Sequence, residues 1–123
     1  MIKIVFCLRR RADLSRDEFQ AYWLTQHAPL VQSHAAALGI RRYVQVHSVD
    51  DAISIAVAGP RQSPEPFDGV AELWLDSLEA LAAAGSSEAG RAASKELLED
   101  ERRFIDLERS PLFLADEHVI IEG

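Results

Sequence analysis

Hydrophobic and polar positions change period several times along the 123-residue chain, and each change marks an element. Met1 to Arg9 (MIKIVFCLR) is rich in β-branched and aromatic residues and too short for a helix, which predicts a strand. From Asp13 to Leu38 the period becomes helical. At about 100° per residue, Phe19, Trp23, His27, Leu30, Val31, His34 and Leu38 share a stripe roughly 120° wide. Ser15 and Glu18 have capping-box spacing, and Leu14 and Phe19 hold the two positions of a hydrophobic staple, so this helix starts at Ser15. Pro29 interrupts it. Proline has no N–H for the Thr25 carbonyl and its ring crowds that oxygen, so the helix must kink or restart near Ala28, with an underused backbone acceptor close to His27. Gly39 supplies the stop.

Alternation returns over Ile40 to Val49, with Tyr43, Gln45 and His47 on one face and Val44 and Val46 on the other. Asp50 to Pro66 carries Gly59 and three prolines and reads as a loop with a helical turn around Ala52 to Ala56. Asp68 to Asp76 (DGVAELWLD) predicts a third strand, with Val70, Glu72 and Trp74 opposite Ala71, Leu73 and Leu75. Ser77 caps a short helix to Ala84, and Glu88 to Leu107 forms a second long one. A last strand is expected around Val119-Ile120-Ile121. The order β-α-β-β-α-β is the ferredoxin-like split βαβ arrangement, an α+β fold with a four-stranded antiparallel sheet in a single domain spanning residues 1–123. Two crossover helices cover only one face of such a sheet. Because the third strand is apolar on both faces, the uncovered one predicts a face-to-face homodimer closing two sheets into a barrel-like core.

Composition narrows the partners. The chain is 48% hydrophobic and 27% charged, as expected of a globular protein, and its net charge of −7 argues against nucleic acid or an anionic membrane. Arg9-Arg10-Arg11 is the one tight basic run, either a solvated turn or an anion site. Cys7 is the single cysteine, so no intrachain disulfide can form, and its apolar run suggests an inert buried thiol. Ile2 to Leu8 is too short for a signal-peptide core and no apolar run reaches membrane-spanning length, which together predict a cytoplasmic protein.

His27 stands out chemically. An imidazole near its ordinary pKa exchanges protons at neutral pH, although a histidine on a buried stripe also serves as a satisfied core residue. Asp100 falls inside the apolar stripe made by Ala89, Ala93, Leu97, Phe104 and Leu107, and a carboxylate there needs a partner: it either orients a histidine or plays a structural, arginine-paired role. Glu72, between apolar neighbours on a central strand, is paired or faces a cavity. Tyr43, His47 and Trp74 are candidates for the sheet side of a pocket, with Trp23 and Phe104 as further aromatic walls, unless they are simply core. A metal site is not expected. His27 and His34 share a face but stand about 10 Å apart along a helix, and no H-x-x-x-H, C-x-x-C or H-E-x-x-H spacing occurs. The glycines build no phosphate-binding loop, so no nucleotide or flavin cofactor is expected either.

Arg10, Leu14-Ser15, Phe19, Tyr22-Trp23, His27-Ala28-Pro29-Leu30, Arg42-Tyr43, His47, Phe67-Asp68-Gly69, Glu72-Leu73-Trp74, Asp100-Glu101, Phe104, Ile105-Asp106 and Glu117-His118-Val119-Ile120 together resemble the EthD domain family of the dimeric α+β barrel superfamily. The resemblance runs over nearly the whole chain, and Tyr22-Trp23 with His27-Ala28-Pro29 is its most specific piece. It implies a barrel dimer with a pocket in each subunit between sheet and helices. Relatives by fold include cofactor-free cyclases, decarboxylases and dehydratases of aromatic polyketides, lactone isomerases and small monooxygenases, and fold alone does not choose among them. The sequence thus predicts cofactor-independent acid/base chemistry at His27, assisted by Asp100 or Glu72, on a hydroxyaromatic, polyketide-like or lactone substrate. The alternatives are a cofactor-free monooxygenase and a non-catalytic binder of a hydrophobic metabolite.

Overall fold

In the computed structural model, which describes residues 1–123, the chain runs β1 (Ile2–Leu8), α1 (Arg16–Tyr22), a π-helical turn (Trp23–His27), α2 (Ala28–Leu38), β2 (Arg42–His47), α3 (Ala52–Ala58), β3 (Gly69–Leu75), α4 (Leu78–Ser86), α5 (Glu88–Glu101) and β4 (Leu112–Ala115). The four strands are ordered β2-β3-β1-β4 and every neighbouring pair is antiparallel, which is the ferredoxin-like α+β arrangement. No helix is long and apolar enough to cross a membrane.

Local signals in the sequence place most of these elements. Ser15 caps α1 through the full box: its hydroxyl accepts from the Glu18 N–H and the Glu18 carboxylate accepts from the Ser15 N–H. Gly39 ends α2 with φ at 71°, where a side chain would be strained. The segment after β2 is more helical than its prolines suggest. Asp51 accepts from the Ile53 N–H and starts α3, which leaves Ile53, Ile55 and Val57 exposed.

Helices cover one face of the sheet. Register puts Phe6 opposite Ala71 and Tyr43 opposite Leu73, and these residues with Leu8 pack against Phe19, Trp23, Phe104 and Ile105. Gly69 lets the Trp23 indole press against β3, since a Cβ there would collide with the ring. The other face carries Val5, Val44, Val46, Val70 and Phe113 around a charged patch. There Lys3 bridges Glu72 and Glu117 at 2.9 Å each, and Trp74 is covered by the Lys3 and Arg42 cations at 4.8 and 4.5 Å.

Two expectations are corrected. The second long helix stops at Glu101 rather than Leu107. After Glu101 the backbone tightens into three-residue turns, the Arg103 N–H donating to the Asp100 carbonyl and the Phe104 N–H to the Glu101 carbonyl, and Phe104 and Ile105 both end up buried. The chain therefore leaves the helix, and Ile105 bridges to Arg10 while the Asp106 N–H donates to the Arg9 carbonyl. The last strand is Leu112–Ala115, not Val119-Ile120-Ile121. Its register pairs Phe6 with Leu112 and Lys3 with Ala115, so β1 has run out before Val119 is reached. Those three residues are 61, 87 and 85% exposed.

Candidate functional site

Pro29 shapes the site. Where an α-helix would need its N–H, the backbone widens into the π-helical turn, closed by the Ala28 N–H donating to the Trp23 carbonyl, and α2 restarts at Ala28. The side chain of Gln45 reaches across from β2 and donates to that same Trp23 carbonyl at 3.0 Å. The external donor thus meets the carbonyl of Trp23 rather than that of Thr25. Through the turn Phe19, Trp23 and His27 all stay on the buried side, and the His27 ring sits 5.0 Å from that of Phe104.

From α5, Asp100 meets His27. Both are buried, at 4 and 5% exposure, and His27 Nδ1 lies 2.7 Å from Asp100 Oδ2. The other carboxylate oxygen accepts from the Tyr22 hydroxyl at 2.6 Å and from Arg103 at 2.9 Å. Burial alone would push Asp100 up. The hydrogen bonds from Tyr22, His27 and Arg103 outweigh it and hold the carboxyl below its ordinary value. For His27, burial is the stronger influence and lowers its pKa, against the upward pull of Asp100. At neutral pH the pair is therefore a carboxylate accepting a hydrogen bond from a neutral imidazole. That fixes the proton on Nδ1 and leaves a lone pair on Nε2. Nε2 makes no hydrogen bond, and no fully buried side-chain nitrogen or oxygen lacks a partner, so Nε2 keeps contact with accessible space.

On β2, Tyr43, Gln45 and His47 line a groove of about 710 Å³ against α2. Gln45 donates to the Tyr43 hydroxyl at 2.8 Å, its carbonyl oxygen lies 2.8 Å from His47 Nε2, and His47 stacks on Trp23 at 4.6 Å. Burial raises the Tyr43 phenol and lowers His47.

Of the residues singled out in sequence, His27, Asp100 and Phe104 come together. Tyr43 and His47 line the adjoining groove with Trp23 behind them, while Trp23 and Phe104 are fully packed. Glu72 and Trp74 do not join them. Register pairs Glu72 with Val44 and Trp74 with Arg42, which puts both on the opposite face, so Glu72 cannot assist His27 and Trp74 does not line its surroundings. Arg9, Arg10 and Arg11 are spent on structure: Arg9 on the carbonyls of Glu65 and Pro66, Arg10 on Asp68 and the Leu14 carbonyl, Arg11 on Asp13 and the Arg102 carbonyl. His34 pairs with Glu96, away from His27.

Glu101 joins the site although composition and motif spacing do not single it out. Its carboxyl makes no hydrogen bond or ion pair within the chain and borders an apolar cavity of about 280 Å³ between sheet and helices. Burial, with a smaller contribution from Asp100, pushes it up to about 7. The available signal was its place four residues after buried Leu97, one turn along the same stripe.

The profile of the EthD domain matches residues 11–108. The chain belongs to the EthD domain family. No curated protein matches it. Among solved structures, an ethyl tert-butyl ether D (EthD) family protein from Bacillus halodurans is 20% identical, with 96% of this chain and 99% of that one covered and a TM-score of 0.63. A dimeric protein of unknown function and ferredoxin-like fold from Bacteroides fragilis is 11% identical, with 94 and 95% covered and a TM-score of 0.58. SnoaB, a cofactor-independent oxygenase from Streptomyces nogalater, is 15% identical, with 98 and 97% covered and a TM-score of 0.54. At these identities the likeness is one of fold. The stretch of this EthD domain that carries His27, Asp100 and Glu101 lies wholly inside the matched residues.

Proposed function

We propose that this EthD protein is a small-molecule enzyme using His27 as its general acid/base, in cofactor-independent lyase, cyclase or isomerase chemistry on a hydroxyaromatic, polyketide-like or lactone substrate. The observation that carries the reading is the buried His27–Asp100 pair at 2.7 Å, whose carboxylate is held in turn by Tyr22 and Arg103. A base fixed by a third group is the arrangement proton transfer needs. Asp100 sets the tautomer and stabilises the imidazolium formed when Nε2 takes a proton. The lowered pKa of His27 keeps it in the base form beforehand.

The protein acts as a homodimer, with the uncovered sheet face packed on a second copy. Val46 and Phe113 are exposed there on a monomer, and the Bacteroides fragilis protein of the same fold is described as dimeric. Val46→Glu should shift the species seen by sedimentation from dimer to monomer. A second reading is a cofactor-free oxygenase, favoured by the shared fold of SnoaB. Oxygen uptake with a turned-over compound separates the two.

A thermal-shift panel of hydroxyaromatic compounds and unsaturated lactones supplies candidates, because a ligand at about 100 times its dissociation constant stabilises by roughly 2.7 kcal/mol. With a turned-over compound in hand, His27→Ala should cost about 10²–10⁴-fold in rate while leaving affinity nearly intact. Unchanged turnover in that variant overturns the acid/base reading. Binding without turnover in the wild type moves the protein to the non-catalytic binders.

A further inference from the structure

The cavity beside Glu101 is chemically one-sided. Ile4, Phe6 and Leu73 of the sheet and Leu38, Leu81 and Leu97 of the helices make its walls. Ser94 and Glu101 are its polar side chains, and no lysine, arginine or histidine lines it. Asp100, next along α5, is the carboxylate that accepts from His27, Tyr22 and Arg103, and Glu101 is bonded to none of them. Glu101 sits at the end of α5 that carries the His27 pair.

We propose that this cavity binds a small uncharged molecule with an apolar body and one hydroxyl or carbonyl oxygen, to which the protonated Glu101 carboxyl donates a hydrogen bond. This rests on the reading of the chain as a small-molecule enzyme and narrows its substrate class. An anionic ligand would enter an apolar space with no cation to meet it, and burial of an unpaired charge opposes that transfer. A neutral one leaves its apolar part among leucines and gives a partner to the one carboxyl that lines the cavity. The cavity volume sits at the small end of ligand pockets, which suits a ligand of one or two rings. Glu101 keeps its proton near neutral pH because burial disfavours the ionised form and Asp100 repels it. Tyr43, on β2 opposite, is the other titratable group within reach of its charge.

Three probes with one ring system test the proposal: 1-naphthalenemethanol, 1-naphthoate and 1-naphthylmethylamine, titrated calorimetrically at pH 6 and pH 8.5. The alcohol should bind the wild type at pH 6 and roughly tenfold or more weakly at pH 8.5, as the protonated fraction of Glu101 falls. Glu101→Gln, which keeps a donor but no titrating proton, should bind it equally at both. Ala84→Phe, which fills the cavity from α4, should abolish binding of the alcohol while unfolding as cooperatively as the wild type, which separates a filled cavity from an unfolded protein. Preference for the naphthoate or the amine, no binding of the alcohol, or a pH dependence that persists in Glu101→Gln overturns the proposal. His27→Ala separates it from the acid/base reading. That change should leave alcohol binding intact whether or not the wild type turns anything over, and a loss of binding there would place the probe outside the cavity.

Discussion

Asp100 and Glu101 are consecutive residues on one helix, and their surroundings could hardly differ more. Asp100 is buried against three donors, and those hydrogen bonds hold it ionised despite its burial. Glu101, turned about 100° around the helix, borders hydrocarbon and meets no donor, and it holds its proton up to about 7. The contrast shows that burial alone does not set the state of a carboxyl; the donors supplied with it do. Side by side, the two give the EthD domain a fixed anion that positions a base and a neutral acid that faces a cavity.

The comparison breaks most sharply at Asp100. Asp100→Leu removes the acceptor but leaves the His27 Nδ1–H and the Tyr22 hydroxyl, so it should cost about 3 kcal/mol in urea unfolding, the scale of stranded buried donors. Asp100→Asn keeps the shape and one acceptor oxygen and should cost about 1 kcal/mol. Equal losses from the two variants would mean that packing, not hydrogen bonding, holds this pair.

Glu101 should respond with the opposite sign. Held at about 7 against an ordinary 4.5, it contributes stability that is whole below pH 4.5 and gone once the pH has passed 7. His27, lowered from 6.5, contributes stability present above 6.5 and lost as the pH falls below that value. Over much of the interval from 4.5 to 7 the two oppose each other. Glu101→Gln removes one of them, so its stability should climb with pH up to about 6.5 and exceed the wild type at pH 8 by about 2 kcal/mol. Unfolding curves at pH 5 and pH 8 check this, and a wild type already climbing as steeply as the variant would refute it.

Half of this contrast was legible in the sequence. Asp100 announces itself as a charge inside the stripe of Ala93 and Leu97, and His27 lies on the stripe of Phe19 and Trp23; both periodicities are local. Which stripe faces which is settled by packing, and the order of elements was enough to bring the two helices together over one sheet. Glu72 was misplaced because alternation along a strand shows only that its two faces differ. The face that the helices cover is decided by register with β1 and β2, which pairs Tyr43 with Leu73 rather than with Glu72. β4 was misplaced for a related reason: Val119-Ile120-Ile121 has the better strand composition, but Leu112–Ala115 is what the chain returning from Ile105 can lay against β1. Glu101 was missed because its neighbour claimed the stripe.

Within the donor set of Asp100 the contributions should be graded by burial. Tyr22→Phe removes the 2.6 Å hydrogen bond and nothing else of the ring, which packs on Phe104 at 5.0 Å, so it should cost about 1 kcal/mol. It should also raise the Asp100 pKa, seen as acid unfolding that begins at higher pH.

Arg103 is the weakest member. Its side chain is 67% exposed, so the 2.9 Å contact to Asp100 competes with water and carries the entropy of ordering a long side chain. Arg103→Ala should cost less than about 0.5 kcal/mol, and the wild-type advantage should vanish in molar salt, where the screening length falls to about 3 Å. Salt should leave most of the Asp100→Leu deficit unchanged, since the His27 donor that it strands is buried inside the fold. If instead Arg103→Ala matched Tyr22→Phe in cost and kept that cost at high salt, Asp100 would owe its charge to the guanidinium. The contrast with Glu101 would then come down to one cation rather than to the buried donors.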